Sequence, residues 1–267
     1  MKSPRLLAVT LLAAAVSGHA GAAIIVDGNL SDWGINKTTW VPTAGIHYTV
    51  EDSTGSGSYY LNPGWGGQAY DAEAMYATIS GGKLFVALAT GHNPLTPNQP
   101  GANSYGPGDF AIDFGKNGSY ELGINVKPTN GGFGVDGGVY KNPTWAYGLW
   151  NAAGQEDPDH PDTTHPTSLL NGTKIGDAQL SYTTLGVAGY GAQASDLHYF
   201  YEMSLDLDLL RQAGWDGSDF NIQWTENCAN DAIIVDPGRY LPEPGSLPLL
   251  GAGLFGLLGF TRLARKA

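Results

Sequence analysis

The sequence predicts an all-β fold, an antiparallel β-sandwich of jelly-roll-like topology that occupies residues 23–240 as one domain. Three observations support it: the chain has 39 glycines and 16 prolines in 267 residues, several short segments alternate between apolar and polar residues, and helical periodicity is rare. Alternation with a period of two is typical of strands that pack one face on a core and turn the other to water. Frequent glycine and proline indicate the turns between such strands, and several short strands favour a sandwich.

Five segments show the alternation most clearly, and in each the apolar residues fall on one face. These faces are Leu84, Val86 and Leu88; Phe110, Ile112 and Phe114; Tyr120, Leu122, Ile124 and Val126; Tyr199, Tyr201, Met203, Leu205 and Leu207; and Phe220, Ile222 and Trp224. The opposite faces, which include Glu202, are expected to meet water. One helix is predicted over Asp206–Ala213, where leucines form an apolar stripe and Gly214 can cap the C-terminus.

The first 22 residues are typical of a secretory signal peptide. Lys2 and Arg5 precede an apolar stretch from Leu6 to Val16, and Ala20-Gly21-Ala22 is an A-x-A cleavage site. We therefore expect signal peptidase to remove residues 1–22 and the protein to be exported.

The last segment, residues 241–267, combines three elements in a fixed order. They are the triplet Pro242-Glu243-Pro244, an apolar run from Leu247 to Phe260, and the cations Arg262, Arg265 and Lys266. The run is shorter than the roughly 20 residues that a helix needs to span a bilayer, and cations after an apolar run are typical of a cytoplasmic end. We expect a transmembrane-like helix that anchors the chain transiently in the inner membrane.

This tail resembles the PEP-CTERM sorting signal of Gram-negative bacteria. The resemblance covers residues 241–267 alone. It implies handling by an exosortase, a final location in the cell envelope or the extracellular matrix, and an association with exopolysaccharide and biofilm matrix. Cleavage and retention of the C-terminal helix both stay open.

The predicted mature domain is strongly acidic. Five of the 13 Lys and Arg residues lie in the two ends but only one of the 25 Asp and Glu residues does, so 8 cations and 24 acids remain, a net charge of −16. This charge argues against nucleic-acid binding, which needs a basic surface. It suits either Ca²⁺ binding through carboxylates or a well-solvated surface. Cys228 is the only cysteine, so it forms no intramolecular disulfide, and we expect it to be a small buried apolar group.

The segment from Ile24 to Trp33, Ile-Ile-Val-Asp-Gly-Asn-Leu-Ser-Asp-Trp, resembles the opening of β-sandwiches related to family 9 carbohydrate-binding modules and DOMON domains. An Asp-Gly turn follows a short strand, and Trp33 is expected to pack back against the sandwich as a plug. The resemblance implies sugar binding by paired aromatic rings and structural calcium.

Candidate sugar-binding residues are aromatic side chains on loops, because flat apolar rings stack on the C–H faces of sugars. Trp65 stands among glycines, and Tyr147 and Trp150 belong to an aromatic stretch. Ordinary core packing is the alternative for these residues, and we expect it for Trp33, Trp145 and Trp224.

Candidate metal ligands are Asp157, Asp159 and Asp162, which alternate with prolines between residues 156 and 165. The three carboxylates could converge on a hard cation such as Ca²⁺. The spacing does not match an EF-hand loop, and a solvated polar loop is the alternative.

No nucleophile or metal-hydrolase motif occurs in the sequence, so we expect a non-catalytic protein. A carboxylate pair for glycoside hydrolysis could come from six acids, namely Asp71, Glu73, Asp109, Asp113, Glu121 and Glu202. Three functional hypotheses follow. A carbohydrate-binding module requires an exposed aromatic platform, a purely structural matrix protein requires Trp65 and Trp150 to be buried, and a glycan hydrolase requires two carboxylates in a cleft.

Overall fold

A computed structural model describes residues 23–52, 66–126 and 133–238. The predicted signal peptide, the predicted sorting segment and Trp65 lie outside these residues. Within them the chain is mostly β, with two antiparallel sheets and a single short α-helix, which is consistent with the predicted β-sandwich.

The first sheet has five strands in the order β1-β2-β3-β9-β8. Their bounds are β1 His47–Val50, β2 Ala72–Ser80, β3 Lys83–Thr90, β8 Gln179–Tyr182 and β9 Tyr199–Asp206. Gly81 and Gly82 join β2 to β3 with φ angles of 57° and 78°. Positive φ at both central residues matches the twist of a two-residue hairpin, and glycine adopts it without steric cost.

The second sheet has six strands in the order β11-β10-β4-β5-β6-β7. Their bounds are β4 Phe110–Phe114, β5 Leu122–Ile124, β6 Gly138–Tyr147, β7 Pro166–Asp177, β10 Phe220–Thr225 and β11 Ala232–Val235. The helix α1, Leu207–Gln212, follows β9 directly. It confirms the predicted helix, and Gly214 just beyond it has a φ of 109°, as a C-terminal capping glycine requires.

The main core lies between the two sheets. Met75, Val86 and Met203 contribute from the first sheet, and Ile112 and Trp224 from the second, all fully buried. The apolar faces predicted from the alternation therefore form the core, except for Tyr120, which packs against Trp145 on the outer side of the second sheet.

The outer face of the first sheet does not meet water as expected. Leu30, Trp33 and Trp40 from the N-terminal segment pack there against β2 and β3. Glu202, predicted on a solvated face, is only 1% exposed. Its Oε2 accepts hydrogen bonds from the backbone N–H groups of residues 27, 28 and 29, and its Oε1 accepts one from Trp33 Nε1 at 2.6 Å. The expected plug role of Trp33 is confirmed, and the Glu202 carboxylate joins the segment to β9 by four hydrogen bonds.

The outer face of the second sheet is also covered, by the far half of the β6–β7 hairpin. The pairing of β6 with β7 shifts register after Lys141, and Asn142 has a φ of 51°, so the hairpin bends there. Beyond the bend, Trp145 lies over Gly123, where an added Cβ would be 2.8 Å from the indole. The hairpin tip, residues 148–165, is thereby brought to the end of the sandwich where β10 ends.

Candidate functional site

Most sequence-predicted site residues meet at one end of the sandwich, which we call the loop end. The hairpin tip reaches it, and so does the turn between β10 and β11, residues 226–231. The two segments are joined where Leu149 N–H donates to the Cys228 carbonyl at 3.0 Å. Gly148 permits this contact, because a Cβ there would lie 2.4 Å from the Cys228 oxygen.

Trp150 is half-buried at the loop end. Its Nε1 donates to Asn230 Oδ1 at 3.1 Å. Tyr147, at the end of β6, is half-buried as well and packs beside the aromatic cluster of Tyr140 and Trp145. The structure therefore places Tyr147 and Trp150 near the surface, whereas Trp145 is buried as predicted.

The three candidate calcium ligands lie on the same hairpin tip but have separate environments. Asp157 pairs with His160 at 3.2 Å, and Asp162 pairs with His165 at 3.4 Å. Asp159 is exposed. In the described part of the chain, no three or more His, Cys, Asp or Glu side chains form an arrangement that could hold a metal ion. Calcium binding by this loop stays a prediction.

Four of the six carboxylates considered for glycoside hydrolysis accept hydrogen bonds from the backbone. Glu202 holds the N-terminal segment, as described above. The others and their donors are Asp109 with the N–H groups of Val126 and Leu169, Asp113 with those of Asn117 and Gly118, and Glu121 with that of Phe114. These contacts give all four carboxylates a structural role.

The other two, Asp71 and Glu73, belong to a group of acidic side chains that we call the carboxyl cluster. It consists of Glu51 at the end of β1, Asp71 and Glu73 at the start of β2, and Glu226 and Asp231 on the turn between β10 and β11. All but Glu51 are at most 2% exposed. Of these five acids, only Asp71 and Glu73 were considered in the sequence analysis. One signal in the sequence could have indicated the cluster. Acidic residues lie next to the ends of three strands, and antiparallel pairing can bring such ends together.

The electrostatics of the carboxyl cluster are unfavourable for charge. Burial, followed by the nearby charges of Glu73, Asp231 and Glu51, raises the pKa of Asp71 to about 9. Burial and the charge of Asp231 raise the pKa of Glu51 to about 8. Burial also raises the pKa of Asp231, to about 7. Among the described residues no Lys or Arg pairs with the cluster; its basic contact is His198, whose Nε2 lies 3.0 Å from Glu73 Oε1.

Comparison with known proteins does not assign a family to the chain. No helix among the described residues is long and apolar enough to cross a membrane. No family model matches the chain, and no curated protein or solved structure matches it either.

Proposed function

We propose that the chain is an exported protein sorted by an exosortase, and that its jelly-roll-like sandwich is a non-catalytic module that binds carbohydrate of the exopolysaccharide class. It would pass through the inner membrane, be held there transiently by its C-terminal helix, and reach the cell envelope or the extracellular matrix. Signal peptidase and exosortase would be its processing partners. The sequence features of residues 1–22 and 241–267 support this route.

The observation that carries the binding proposal is the half-buried indole of Trp150. Its ring is held by the bond to Asn230 Oδ1, so it can offer an oriented apolar face to a sugar with little loss of side-chain entropy. Gly66 lies beside the same residue, because a Cβ there would be 3.2 Å from Asn230 Nδ2. Gly66 therefore lies close to the side chain that holds the Trp150 indole.

The alternatives receive less support. A purely structural matrix protein predicts a buried Trp150, but the indole is half-buried. A glycan hydrolase needs two carboxylates in a cleft, but four candidate acids hold backbone groups and Asp71 and Glu73 are buried.

The test is a titration of the purified full chain with the exopolysaccharide of its host, followed by tryptophan fluorescence. We expect a saturable shift, and an affinity about tenfold weaker in Trp150→Ala, since a good aromatic contact contributes about 1 kcal/mol or more. Trp65→Ala should weaken binding similarly. Tyr48→Ala, which removes a 45% exposed ring elsewhere on the surface, is the control and should bind normally. No saturable shift, or equal losses in all three variants, would refute the binding module and favour the structural protein.

A further inference from the structure

Glu156 lies directly opposite Trp150 on the hairpin tip. The two residues form an antiparallel bridge, and the flanking bond from the Asp157 N–H to the Leu149 carbonyl is 2.8 Å long. The matching bond on the other side of the bridge is 2.9 Å long. Bonds in these positions make Trp150 and Glu156 a non-hydrogen-bonded pair, in which facing side chains lie closest and share one face of the ribbon. The Glu156 carboxylate therefore lies next to the half-buried indole.

The Glu156 side chain is exposed to solvent. With the other described residues it forms no ion pair and no side-chain hydrogen bond. Two neighbouring acids differ from it, because Asp157 pairs with His160 and Asp162 pairs with His165. Glu156 therefore offers a charge beside the indole that a ligand can reach.

The segments that surround Trp150 contain no Lys or Arg. The hairpin tip, residues 148–165, has four acidic residues, and the turn 226–231 has two. The loop 91–107, which a backbone hydrogen bond of 3.1 Å joins to that turn, has no charged residue apart from one histidine. At the opposite end of the sandwich, three ion pairs hold cations: Lys83 with Asp206, Lys116 with Asp236 and Arg211 with Asp208. The surface around Trp150 therefore attracts cations and repels anions.

The indole and the carboxylate together define the kind of sugar that this surface would accept. The indole face packs on the C–H groups of a pyranose ring and also attracts a nearby cation. The carboxylate forms a charge-assisted hydrogen bond with an ammonium group. A neutral sugar would make only the ring contact, and a uronic acid would bring its carboxylate against that of Glu156. A hexosamine with a free ammonium group makes both contacts.

We propose that the loop end binds an amino-sugar polymer with free ammonium groups, in which Trp150 packs on a hexosamine ring and Glu156 pairs with its ammonium. Resting on the proposed sugar binding, this specificity narrows the exopolysaccharide to a cationic class. A basic peptide is disfavoured as the occupant, because flexible lysine side chains lose more conformational entropy on an aromatic ring than a rigid pyranose does.

The test is a calorimetric titration of the purified full chain at about pH 6, where carboxylates are ionised and sugar amines are protonated. The probes are oligomers of equal length made of glucosamine, N-acetylglucosamine, a uronic acid or lysine. We expect the glucosamine oligomer to bind about three- to fivefold more tightly than the N-acetylated one, as an exposed ion pair allows. The uronic acid oligomer should bind more weakly than either.

Three variants separate the two contacts. Glu156→Gln should bind both hexosamine oligomers with equal affinity, because glutamine keeps the size of the side chain but removes its charge. Asp159→Asn removes one exposed charge from the same tip, so it is the matched control and should keep the preference for glucosamine. Trp150→Ala should weaken the binding of both oligomers by about tenfold.

Equal wild-type affinity for the two hexosamine oligomers would overturn the proposal, because the ammonium would not be recognised. A preference lost as completely in Asp159→Asn as in Glu156→Gln would assign it to the charge of the whole tip, and an equally tight lysine oligomer would assign the surface to basic peptides. Binding of the host exopolysaccharide without binding of either hexosamine oligomer would overturn the amino-sugar specificity alone. Binding of the glucosamine oligomer through Glu156, with no binding of the host exopolysaccharide, would refute the exopolysaccharide association alone.

Discussion

Replacing Glu202 by Gln tests the contact that holds the N-terminal segment on the first sheet. The carboxylate accepts four hydrogen bonds, three from backbone N–H groups at 2.6–3.0 Å and one from Trp33 Nε1 at 2.6 Å. Glutamine has one acceptor oxygen, which can serve the three backbone groups. Its amide N–H₂ then faces the indole N–H, so two buried donors lose their acceptor.

The expected cost follows from that loss. A hydrogen bond to a charged group contributes about 1.5–3 kcal/mol, and an unsatisfied buried donor costs about 1–3 kcal/mol. Because these terms overlap, we expect Glu202→Gln to lower the free energy of unfolding by about 2–4 kcal/mol. In a domain of this size that lowers Tm by about 5–12 °C.

The measurement is urea unfolding of the full chain, followed by tryptophan fluorescence. Glu121→Gln is the matched control. Glu121 accepts one backbone N–H, that of Phe114 at 2.8 Å, and glutamine can replace it, so we expect a loss below about 1 kcal/mol. If the free energy of unfolding of Glu202→Gln is within about 0.5 kcal/mol of the wild-type value, the carboxylate does not fix the N-terminal segment and the reasoning is wrong.

Two further predictions concern the loop end. The stability of the full chain should fall as the pH rises from about 7 to about 9, because the pKa values of Asp71 and Glu51, about 9 and about 8, lie above their unfolded values and unfolding therefore releases protons. Thermal melts across the pH range measure this slope, and a flat profile would show that these carboxyls are already ionised in the fold. Gly108→Ala should lower the free energy of unfolding in urea by about 3 kcal/mol, because the added Cβ would lie 1.7 Å from the Thr225 carbonyl oxygen. Gly101→Ala is the control. A Cβ there would have nothing within 4 Å, so we expect little change. Equal stability of the two alanine variants would contradict the close approach of backbones at Gly108.

Five of the strands, namely β3, β4, β5, β9 and β10, were predictable from sequence because their inward faces are apolar. Alternation in β4, β9 and β10 identified residues that lie in the core, such as Ile112, Met203 and Trp224. The glycine after the helix was also predictable, since C-terminal capping depends on local chemistry. These features depend on residues that are close together in the sequence, so sequence patterns reveal them.

The layers outside the sheets could not be predicted in the same way. The sequence places Glu202 on a polar strand face and predicts that it is solvated. In the structure it is buried by a segment more than 170 residues away. The fold of the hairpin over Gly123 depends equally on a bend at Asn142. No local pattern specifies which distant segment covers an outer face, so the burial of these polar residues follows only from the three-dimensional structure.

The carboxyl cluster could not be predicted either, because its members come together only when distant strand ends pair. Asp71 and Glu73 were two of the six acids considered for a catalytic pair, and sequence does not show that Glu51 and Asp231 join them. Once strand ends are paired, the separate acids become one buried group. A catalytic carboxylate must reach substrate, whereas Asp71 and Glu73 are buried.

The turn between β10 and β11 joins the hairpin tip to the start of β2. Its Cys228 carbonyl accepts the N–H of Leu149, its Asn230 side chain accepts the indole N–H of Trp150, and its Asp231 carboxylate accepts the N–H of Ala72. The hairpin tip therefore holds the turn from one side, and β2 holds it from the other. Because Asn230 orients the Trp150 indole, sugar binding should depend on the order of this turn as well as on the aromatic rings.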